Sequence, residues 1–422
     1  ALASADLVIA LGVDWDFRTK FGSAVSPAAR VVHVDAEPTR IGWNRKADVG
    51  VAADPGVFVS QLLARESVIG RSRPSEWVEV VRAKEAEKAA VAEEASRSDE
   101  SPVHPERFAR EVAVVTFEFE NVPAATAEAA SRHAPVRPAG SLLHVTQERL
   151  REKRALISRG IPVAKFAEIQ TGEDLANAAA TTGFPAVLKT ASWGYDGKGQ
   201  RRVSDAAELE GAWRELGAGA AVLEQFVPFV AELSVVGARG LDGDVALYDP
   251  VLNRHENHIL DVTLCPAPVP ERVRDDALRI AREVLAGFEV VGVLCVELFL
   301  LDDGALLVNE LAPRPHNSGH VTIDAHGCCQ FEQQVRAVCG LPLGDTAPQV
   351  PAAAMVNLLG DLWESGAPSW SAALADPGVR LHLYGKGTPR PGRKMGHLAV
   401  AAADVGAAEQ RALDARRALL GR

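Results

Sequence analysis

The chain has 422 residues, of which 47% are hydrophobic and 24% are charged, a balance typical of a globular protein with roughly two to four domains. The formal net charge of -11 repels a phosphate backbone and therefore disfavours nucleic acid as the main partner. The five cysteines form no Cys-x-x-Cys pair, which fits a reducing cytoplasm, and no apolar run approaches the roughly 20 residues that cross a bilayer.

Short β-branched runs open the chain. Residues 5–11, 30–34 and 49–53 are apolar and are separated by segments of helical length, a pattern typical of a parallel α/β sheet. From about residue 76 to 113 the composition turns to Glu, Lys, Arg and Ala, which predicts an exposed helix and a linker. Because Ala1 already lies in the approach to a strand, we expect a fragment or a truncated product.

A second series of elements follows. An apolar strand is expected from residue 114, and a helix from residue 146 that ends at Gly160 and Pro162. The later strands are expected at residues 186–189, 221–225, 232–238, 293–301 and 305–310. An Ala-rich part begins at about residue 351 and ends in a helix.

The sharpest chemical signal is a pair of apolar strands around an Asp-Gly turn in residues 293–310. If Asp303 and Gly304 are the centre of a two-residue turn, Glu297 and Glu310 lie directly opposite each other. Two carboxylates repel at a cross-strand Cβ distance of about 5 Å, so the pair favours a divalent cation between them, with Asn309 as a neighbouring oxygen ligand. The alternative is a solvated edge hairpin.

A glycine-rich loop follows a strand that ends in Lys189. Glycines let backbone N–H groups approach phosphate oxygens, and the lysine adds positive charge. The loop lacks the GxxxxGK[ST] pattern, so an ordinary mobile loop is the alternative. In a nucleotide site, the strand end at residues 223–227 would bind adenine and Glu232 would bind the ribose hydroxyls.

Two further segments are rich in polar side chains. One loop concentrates Arg314, His316, Asn317, Ser318 and His320. Nucleophilic catalysis by Ser318 is disfavoured because no acidic partner is recognisable around it, and a metal site from His316 and His320 is disfavoured by the surrounding glycine and proline. The basic turn at residues 388–397 is either solvated surface or an anion site, and taken alone it favours the surface.

In chain order, these segments resemble the ATP-grasp superfamily and, within it, the 5-(carboxyamino)imidazole ribonucleotide synthases of purine biosynthesis. The motifs VVTFEFENVP, GYDGKGQ, NELAPRPHNSGH and RPGRKMGH carry the resemblance, in the family's order and spacing, from about residue 114 onward. It implies an α/β protein with an ATP-grasp fold, preceded by a parallel Rossmann-like segment and followed by a small C-terminal domain. The expected divisions are 1–70 (parallel segment), 71–113 (linker), 114–140 (remnant of a substrate lobe), 141–345 (ATP-grasp) and 346–422 (C-terminal domain).

The resemblance also implies a role for each matching side chain. For ATP it implies Arg149, Lys189, the flap of Gly194, Tyr195, Asp196, Gly197, Lys198, Gly199 and Gln200, then Glu224, Gln225, Phe226, Val227, Glu232, His255, Asn309 and Glu310. For Mg²⁺ it implies Glu297 and Glu310, and for the carboxylation pocket Arg314, His316, Asn317, Ser318 and His320. Tyr195, Asp196 and Lys198 would close over the site, while Glu118, Glu120, Arg393 and Lys394 would bind the ribonucleotide.

The implied reaction joins bicarbonate to the amine of 5-aminoimidazole ribonucleotide through carboxyphosphate, with ATP cleaved to ADP and phosphate. The implied partners are these small molecules and a second copy of the chain, in the cytoplasm, without nucleic acid or membrane. The alternatives are a catalytically silent protein that only binds ATP and a biotin-dependent ATP-grasp carboxylase, against which the HNSGH and RPGRKMGH motifs argue.

The residues before Val114 depart from this family. They lack the glycine-rich turn with which the family begins, and instead resemble part of the central domain of thiamine-diphosphate enzymes of the acetolactate synthase and oxalyl-CoA decarboxylase type. ADLVIALG, ARVVHVDAEPTRIGWNRKADVGVAAD and SPVHPERFAREV carry that resemblance. The thiamine-binding GDG and NN motif is absent, so thiamine chemistry is not expected. A natural fusion, an assembly artefact and a deliberate chimera all fit the join.

Overall fold

The structure is a computed structural model that describes residues 5–13, 23, 25–42, 45–63, 83, 105–191, 199–364 and 366–420. The chain divides into two compact units, Ala1–Arg107 and Phe108–Arg422. Most of the expected linker at residues 76–113 lies outside the described residues. Within the described parts, no helix has the length and apolar character needed to cross a membrane.

The first unit contains a parallel three-stranded sheet, as the β-branched runs predict. Strands β1 (Leu7–Leu11), β2 (Arg30–Asp35) and β3 (Val49–Ala52) pair in that order, and helix α1 (Pro55–Leu63) follows. Val31 and Val34 of the central strand are fully buried, because a strand with a neighbour on each side carries the small core of this unit.

The second unit begins with a layer of helices and a small antiparallel sheet. The helices are α2 (Pro105–Arg110), α3 (Ala124–Ser131), α4 (Gly140–Thr146), α5 (Arg149–Ile157), α6 (Asp174–Thr182) and α7 (Ala206–Glu215). The strands are β4 (Phe166–Ile169), β5 (Ala186–Thr190), β6 (Gln200–Val203) and β7 (Ala221–Gln225), in the order β4-β7-β5-β6. Leu188, Leu209 and Leu223 form the core between this sheet and its helices.

A nine-stranded sheet forms the rest of the second unit. Its strands are β8 (Ala231–Arg239), β9 (Val245–Leu247), β10 (Val251–Glu256), β11 (Ile259–Cys265), β12 (Gly292–Leu300), β13 (Leu306–Ala312), β14 (Ala352–Leu359), β15 (Val379–Leu383) and β16 (Lys394–Ala402). The order is β13-β12-β8-β10-β11-β14-β16-β15, with β9 beside β8. The helices are α8 (Glu271–Gly287), α9 (Thr322–Ala325), α10 (Gln330–Cys339), α11 (Trp370–Ala373) and α12 (Val405–Ala418).

The large sheet joins two regions of the chain through one strand pair. Strand β11 pairs with β14 antiparallel, so the strands that precede α8 and those near the C-terminus share one hydrogen-bonded ladder. Helix α8 buries Ala277, Ile280 and Val284 against one part of this sheet, with the spacing of an amphipathic helix. Helix α12 buries Ala408 and Ala412 against the other part.

The expected strand at residue 114 is wrong. Val115 makes only an isolated parallel bridge to Val136. Beyond it, the side-chain amide of Gln147 donates to the carbonyls of Glu120 and Val122, at 2.7 and 2.6 Å, so a side chain satisfies backbone groups that a neighbouring strand would otherwise pair. The Phe and Glu residues of this segment therefore lie outside a regular strand, next to carbonyls that Gln147 binds.

The predicted pairing of Glu297 with Glu310 is confirmed, but the predicted two-residue turn is wrong. Glu297 and Glu310 are register partners, as expected. The turn, however, contains three residues, because Leu301 N–H donates to Ala305 O, and Gly304 adopts a φ of +85°. A bulge between Glu297 and Leu298, where the register skips Asn309, shifts the pairing back by one residue and cancels the difference.

Candidate active site

Helix α5 brings two cations towards the acidic hairpin. Glu148 caps the helix by accepting from the backbone N–H groups of Leu150 and Arg151, at 2.8 and 3.0 Å. Arg149 Nη1 lies 3.6 Å from Glu310 Oε2, and Lys153 follows four residues later on the same face of the helix. The sequence analysis identified Arg149 and missed Lys153, although the i, i+4 spacing was a usable signal.

Two buried lysines share one carboxylate beside these residues. Lys189 Nζ and Lys153 Nζ lie 2.9 and 3.3 Å from Glu224 Oε2, and the three residues are 8%, 2% and 3% exposed. Burial alone would raise the pKa of Glu224, but the Lys189 and Lys153 ammonium groups lower it to about 2. Burial lowers the pKa of Lys189, and Glu224 opposes that shift. Glu224, expected at adenine or ribose, thus forms ion pairs with both lysines.

Glu297 and Glu310 form an asymmetric pair of carboxylates. Burial and then the charge of Glu297 raise the pKa of Glu310. Burial would also raise the pKa of Glu297, but the adjacent His316 lowers it. The two carboxylates lie in register and have opposite pKa shifts. With Asn309 next to Glu310 in sequence, they offer the oxygen ligands that a hard divalent cation such as Mg²⁺ prefers. The cations of α5 lie close to the pair.

His316 connects Glu297 to Ser318. His316 Nε2 lies 2.8 Å from Glu297 Oε1, and His316 Nδ1 lies 2.9 Å from Ser318 Oγ. Burial opposes a charge on this ring, while the Cys295 thiol and the Glu297 carboxylate raise its pKa. Ser318 thus has the acidic partner, through His316, that was not recognisable in the sequence, because Glu297 lies on a separate strand.

A direct catalytic role for Ser318 does not agree with its position. The residue has no accessible surface, and its hydroxyl also contacts Ser234 Oγ at 2.8 Å. A hydroxyl with no accessible surface does not reach a substrate, so the expectation that Ser318 lines the carboxylation pocket is corrected to a supporting position beneath it.

Asn317 and His320 belong to a second polar cluster. Asn317 pairs with Asn357, whose side-chain Nδ2 donates to Asn317 Oδ1 at 2.7 Å, and His320 Nδ1 lies 2.9 Å from Gln330 Nε2. Residues 318–321 form a 3₁₀ turn, so His316 and His320 do not align as an α-helical metal pair.

Three side chains near this cluster come close enough to suggest a metal site. The ligand atoms of Asp324, His382 and His397 lie within 4.8 Å of one another. The two imidazoles are stacked, with centroids 4.5 Å apart and planes 15° apart. Nearly parallel stacked rings hold their in-plane lone pairs in two separate, nearly parallel planes, so the two imidazoles do not direct lone pairs at one ion in this arrangement.

Arg314, in the loop after β13, pairs with Glu120. Arg314 Nε and Nη2 both contact the Glu120 carboxylate, the latter at 2.9 Å. Glu118 is exposed nearby, and its charge acts on both Arg314 and Lys386. Glu118 and Glu120 therefore lie beside the loop that follows β13.

A basic cluster lies next to Glu118. Lys386 Nζ donates to Lys394 O at 2.9 Å, and Arg393 Nη1 donates to Thr388 O at 2.7 Å. Burial and the charges of Arg393 and Lys394 lower the pKa of Lys386. Lys386, Arg393 and Lys394 thus place three positive charges close together. Lys386 was missed because it precedes the RPGRKMGH motif.

The strand end at β7 is a backbone edge whose first N–H groups already bond within the protein. Gln225 N–H donates to Lys165 O at 2.8 Å, and Phe226 N–H donates to Pro185 O at 3.0 Å. Val227 is 9% exposed and ends this edge. On β8 and β10, Glu232 Oε1 lies 3.1 Å from His255 Nδ1; burial lowers the pKa of His255, but Glu232 raises it overall.

Most of the expected flap lies outside the described residues, which omit Gly194, Tyr195, Asp196, Gly197 and Lys198. Its end is described: Gly199 has a φ of +72°, and Gln200 opposes Lys189 in the β5-β6 ladder. A Cβ on Gly199 would lie 2.7 Å from Thr190 Oγ1, so this position requires glycine for both conformation and space.

Four family models match the chain in separate stretches. The ATP-grasp domain matches residues 154–331, and the phosphoribosylaminoimidazole carboxylase C-terminal domain matches residues 353–411. The ribonucleotide synthetase preATP-grasp domain matches residues 78–147, which includes part of the segment interpreted as a linker. The thiamine pyrophosphate enzyme central domain matches residues 1–62. The fold and the site thus define an ATP-grasp enzyme.

Sequence relatives narrow this class. The chain is 43% identical over 302 residues to the N5-carboxyaminoimidazole ribonucleotide synthase of Pseudomonas aeruginosa, covering 71% of this chain and 81% of that protein. It is 42% identical over 289 residues to that of Bacillus subtilis, covering 68% and 74%. It is also 41% identical over 312 residues to a bifunctional purine synthesis protein of Dictyostelium discoideum, of which the match covers 31%.

Solved structures of N5-carboxyaminoimidazole ribonucleotide synthetases are similar to this chain in fold. An N5-carboxyaminoimidazole ribonucleotide synthetase in complex with ADP matches with a TM-score of 0.70 at 30% identity, covering 99% of this chain and 97% of that one. The synthetase of Thermus thermophilus matches with a TM-score of 0.69 at 33% identity, covering 99% of both. The Aspergillus clavatus synthase with ADP and 5-aminoimidazole ribonucleotide matches at 0.66 and 28% identity, covering 74% and 83%. The chain belongs to the N5-carboxyaminoimidazole ribonucleotide synthase family.

Proposed function

We propose that the chain carboxylates 5-aminoimidazole ribonucleotide with bicarbonate, using ATP, to give 5-carboxyaminoimidazole ribonucleotide, ADP and phosphate. One observation carries the proposal: Glu297 and Glu310 stand in register between two sets of cations. Arg149 and the lysines on Glu224 lie on one side. On the other side, Arg314 and the basic turn would bind the second substrate.

In the first step, a bicarbonate oxygen attacks the γ-phosphorus of ATP, the bond to the β-phosphate oxygen breaks, and ADP leaves. Arg149, Lys153 and Lys189 would balance the negative charge on the phosphates. Glu297 and Glu310 would hold Mg²⁺, which would supply further neutralisation of the phosphate charge.

In the second step, the exocyclic amine of the ribonucleotide attacks the carbonyl carbon of carboxyphosphate, phosphate leaves, and the nitrogen loses a proton. Arg314, held by both oxygens of Glu120, would orient the carboxyl group, and Asn317 and His320 would line this pocket. Lys386, Arg393 and Lys394 would bind the ribose 5-phosphate as an anion site. Closure of the flap would keep water from the labile intermediate.

ATP binding uses the remaining expected residues. Gln225, Phe226 and Val227 would present the backbone edge to adenine, and Glu232 with His255 would bind the ribose. The proposed domain limits are those of the sequence analysis, with 141–345 as the ATP-grasp part and 346–422 as the C-terminal part.

Oxygen tracing tests the chemistry. With ¹⁸O-labelled bicarbonate, the account predicts one label in the released phosphate, because the attacking oxygen becomes the bridge to phosphorus and leaves with it. Unlabelled phosphate, released while the ribonucleotide is carboxylated, would contradict the carboxyphosphate route. Glu310→Ala is the matched control, since it should release neither labelled phosphate nor ADP.

The proposal includes a homodimer in the cytoplasm. Helix α10 and the residues that follow it carry exposed apolar side chains: the exposed fraction is 39% for Phe331, 57% for Val335 and 52% for Leu341. Leu241 at 50% adjoins them, since a Cβ on Gly340 would lie 2.8 Å from its Cδ1. A second copy of the chain would cover this patch. All five cysteines are unpaired, which suits a reducing compartment.

A further inference from the structure

A row of polar side chains crosses the large sheet beneath the carboxylate pair. Glu310 on β13 opposes Glu297 on β12, and Glu297 opposes Ser234 on β8. Farther along, Asn253 on β10 opposes Thr263 on β11. Because register partners project to the same face of a sheet, this row runs from the metal-binding hairpin towards the C-terminal strands.

Hydrogen bonds connect the side chains of this row into one series, called the polar row below. Thr263 Oγ1 donates to Asn253 Oδ1 at 3.1 Å, and Asn253 Nδ2 donates to Ser234 Oγ at 2.9 Å. Ser234 Oγ contacts Ser318 Oγ at 2.8 Å, and Ser318 Oγ contacts His316 Nδ1 at 2.9 Å. His316 Nε2 then reaches Glu297 Oε1 at 2.8 Å.

The polar row lies in the protein interior. Ser234, Thr263 and Ser318 have no accessible surface, and Asn253 is 5% exposed. Hydrophobic side chains of similar size would pack this face without any need for partners, so folding alone does not require four polar residues here. Through Ser318 and His316, their hydrogen bonds lead to the Glu297 carboxylate.

We propose that Ser234, Asn253 and Thr263 are positioning residues that hold His316, and through it the Glu297 carboxylate, in the orientation that binds a divalent cation. The inference rests on the proposed assignment of Glu297 as a metal ligand. An imidazole held at only one nitrogen can rotate, whereas Ser318 holds the second nitrogen and Ser234 holds Ser318. Outer partners of this kind typically change metal affinity 10- to 100-fold.

The polar row holds His316 in place and does not conduct protons. The side-chain amide of Asn253 interrupts the hydroxyl series, and its nitrogen and oxygen hold fixed roles towards Ser234 and Thr263. The serine hydroxyls can rotate to donate to the imidazole or to accept from it, so the same frame holds His316 in either charge state.

The test measures Mn²⁺ binding directly, by electron paramagnetic resonance titration of the full chain in the presence of ADP. Ser234→Ala removes the central hydroxyl and should raise the Mn²⁺ dissociation constant about tenfold. Thr263→Val removes the last hydroxyl while keeping the side-chain shape, and should shift the constant in the same direction by less. Thr182→Val is the matched control, because Thr182 is also buried, at 5% exposed, but donates to the carbonyls of Ala178 in α6 and of Gly183, which follows that helix.

The outcomes separate the inference from its premise. If Glu297→Gln weakens Mn²⁺ binding while Ser234→Ala and Thr263→Val bind like Thr182→Val, the positioning role is refuted and the metal assignment stands. If Glu297→Gln and Glu310→Gln leave Mn²⁺ binding unchanged, the metal assignment fails and the inference with it. Should Ser234→Ala not fold, Thr263→Val decides by the same comparison.

Discussion

Glu224 offers a quantitative test of the buried charge cluster. Glu224→Gln keeps the shape of the side chain and leaves Lys153 and Lys189 without the carboxylate they share, at 3.3 and 2.9 Å. The pKa of Glu224 is lowered from 4.5 to about 2, and this shift corresponds to about 3 kcal/mol at neutral pH. Since the residue is buried, solvent screening does not reduce this value much, and removal of one partner of a buried pair typically costs about 3–5 kcal/mol.

The sign of the pH dependence follows from the lowered pKa. Above pH 4.5, the ionised Glu224 contributes its full share to the free energy of unfolding. This stabilisation is lost as the pH falls towards 2, because the unfolded protein takes up the proton first. The glutamine variant has no proton to take up at this position. The difference in unfolding free energy between the two proteins should therefore shrink by roughly 2 kcal/mol between pH 5 and pH 3.

Urea unfolding at several pH values, followed by circular dichroism, measures this difference. Glu215→Gln is the matched control in the same lobe, because Glu215 pairs with Arg201 at the surface, where the side chains are 59% and 56% exposed. We expect the control to change the unfolding free energy by less than about 0.5 kcal/mol. Equal midpoints for Glu224→Gln and Glu215→Gln at neutral pH, or a difference that does not depend on pH, would refute the shared ion pair.

Three further predictions concern the proposed reaction and assembly. Glu310→Ala should abolish ADP release while circular dichroism stays native, and unchanged turnover would remove Glu310 from the mechanism. Lys386→Ala should raise the KM for the ribonucleotide at least tenfold and leave the KM for ATP nearly unchanged, because Lys386 bonds to Lys394 of the basic turn; equal effects on both substrates would contradict a phosphate site there. Val335→Glu should place a charge on a side chain that is 57% exposed in the apolar patch and convert a dimer into a monomer in sedimentation equilibrium, whereas an unchanged mass would exclude this patch as the interface.

Much of the sheet structure was predictable from local patterns. The runs that became β2, β7 and β12 are apolar, short and bounded by turn residues, and such signals need no knowledge of distant neighbours. The pairing of Glu297 with Glu310 was obtained through two errors that cancel. A three-residue turn and a bulge at Asn309 together produce the register of a two-residue turn without a bulge.

Contacts between distant segments were not predictable in this way. Glu297 approaches His316 only because β12 and the loop after β13 meet in space, so Ser318 looked as if it lacked an acidic partner. The segment at Val114 has strand composition, but Gln147, from a later helix end, binds its carbonyls. The role of Glu224 likewise depends on Lys153 from helix α5, which no strand motif includes.

The most direct test of the central claim is ADP release by the purified chain with Mg-ATP and bicarbonate, measured with and without 5-aminoimidazole ribonucleotide. The account predicts that the ribonucleotide stimulates ADP release and that Glu310→Ala abolishes it. ADP release that the ribonucleotide leaves unchanged would mean that ATP cleavage is not coupled to this substrate. Absence of ADP release from a folded protein would contradict the ligase assignment itself.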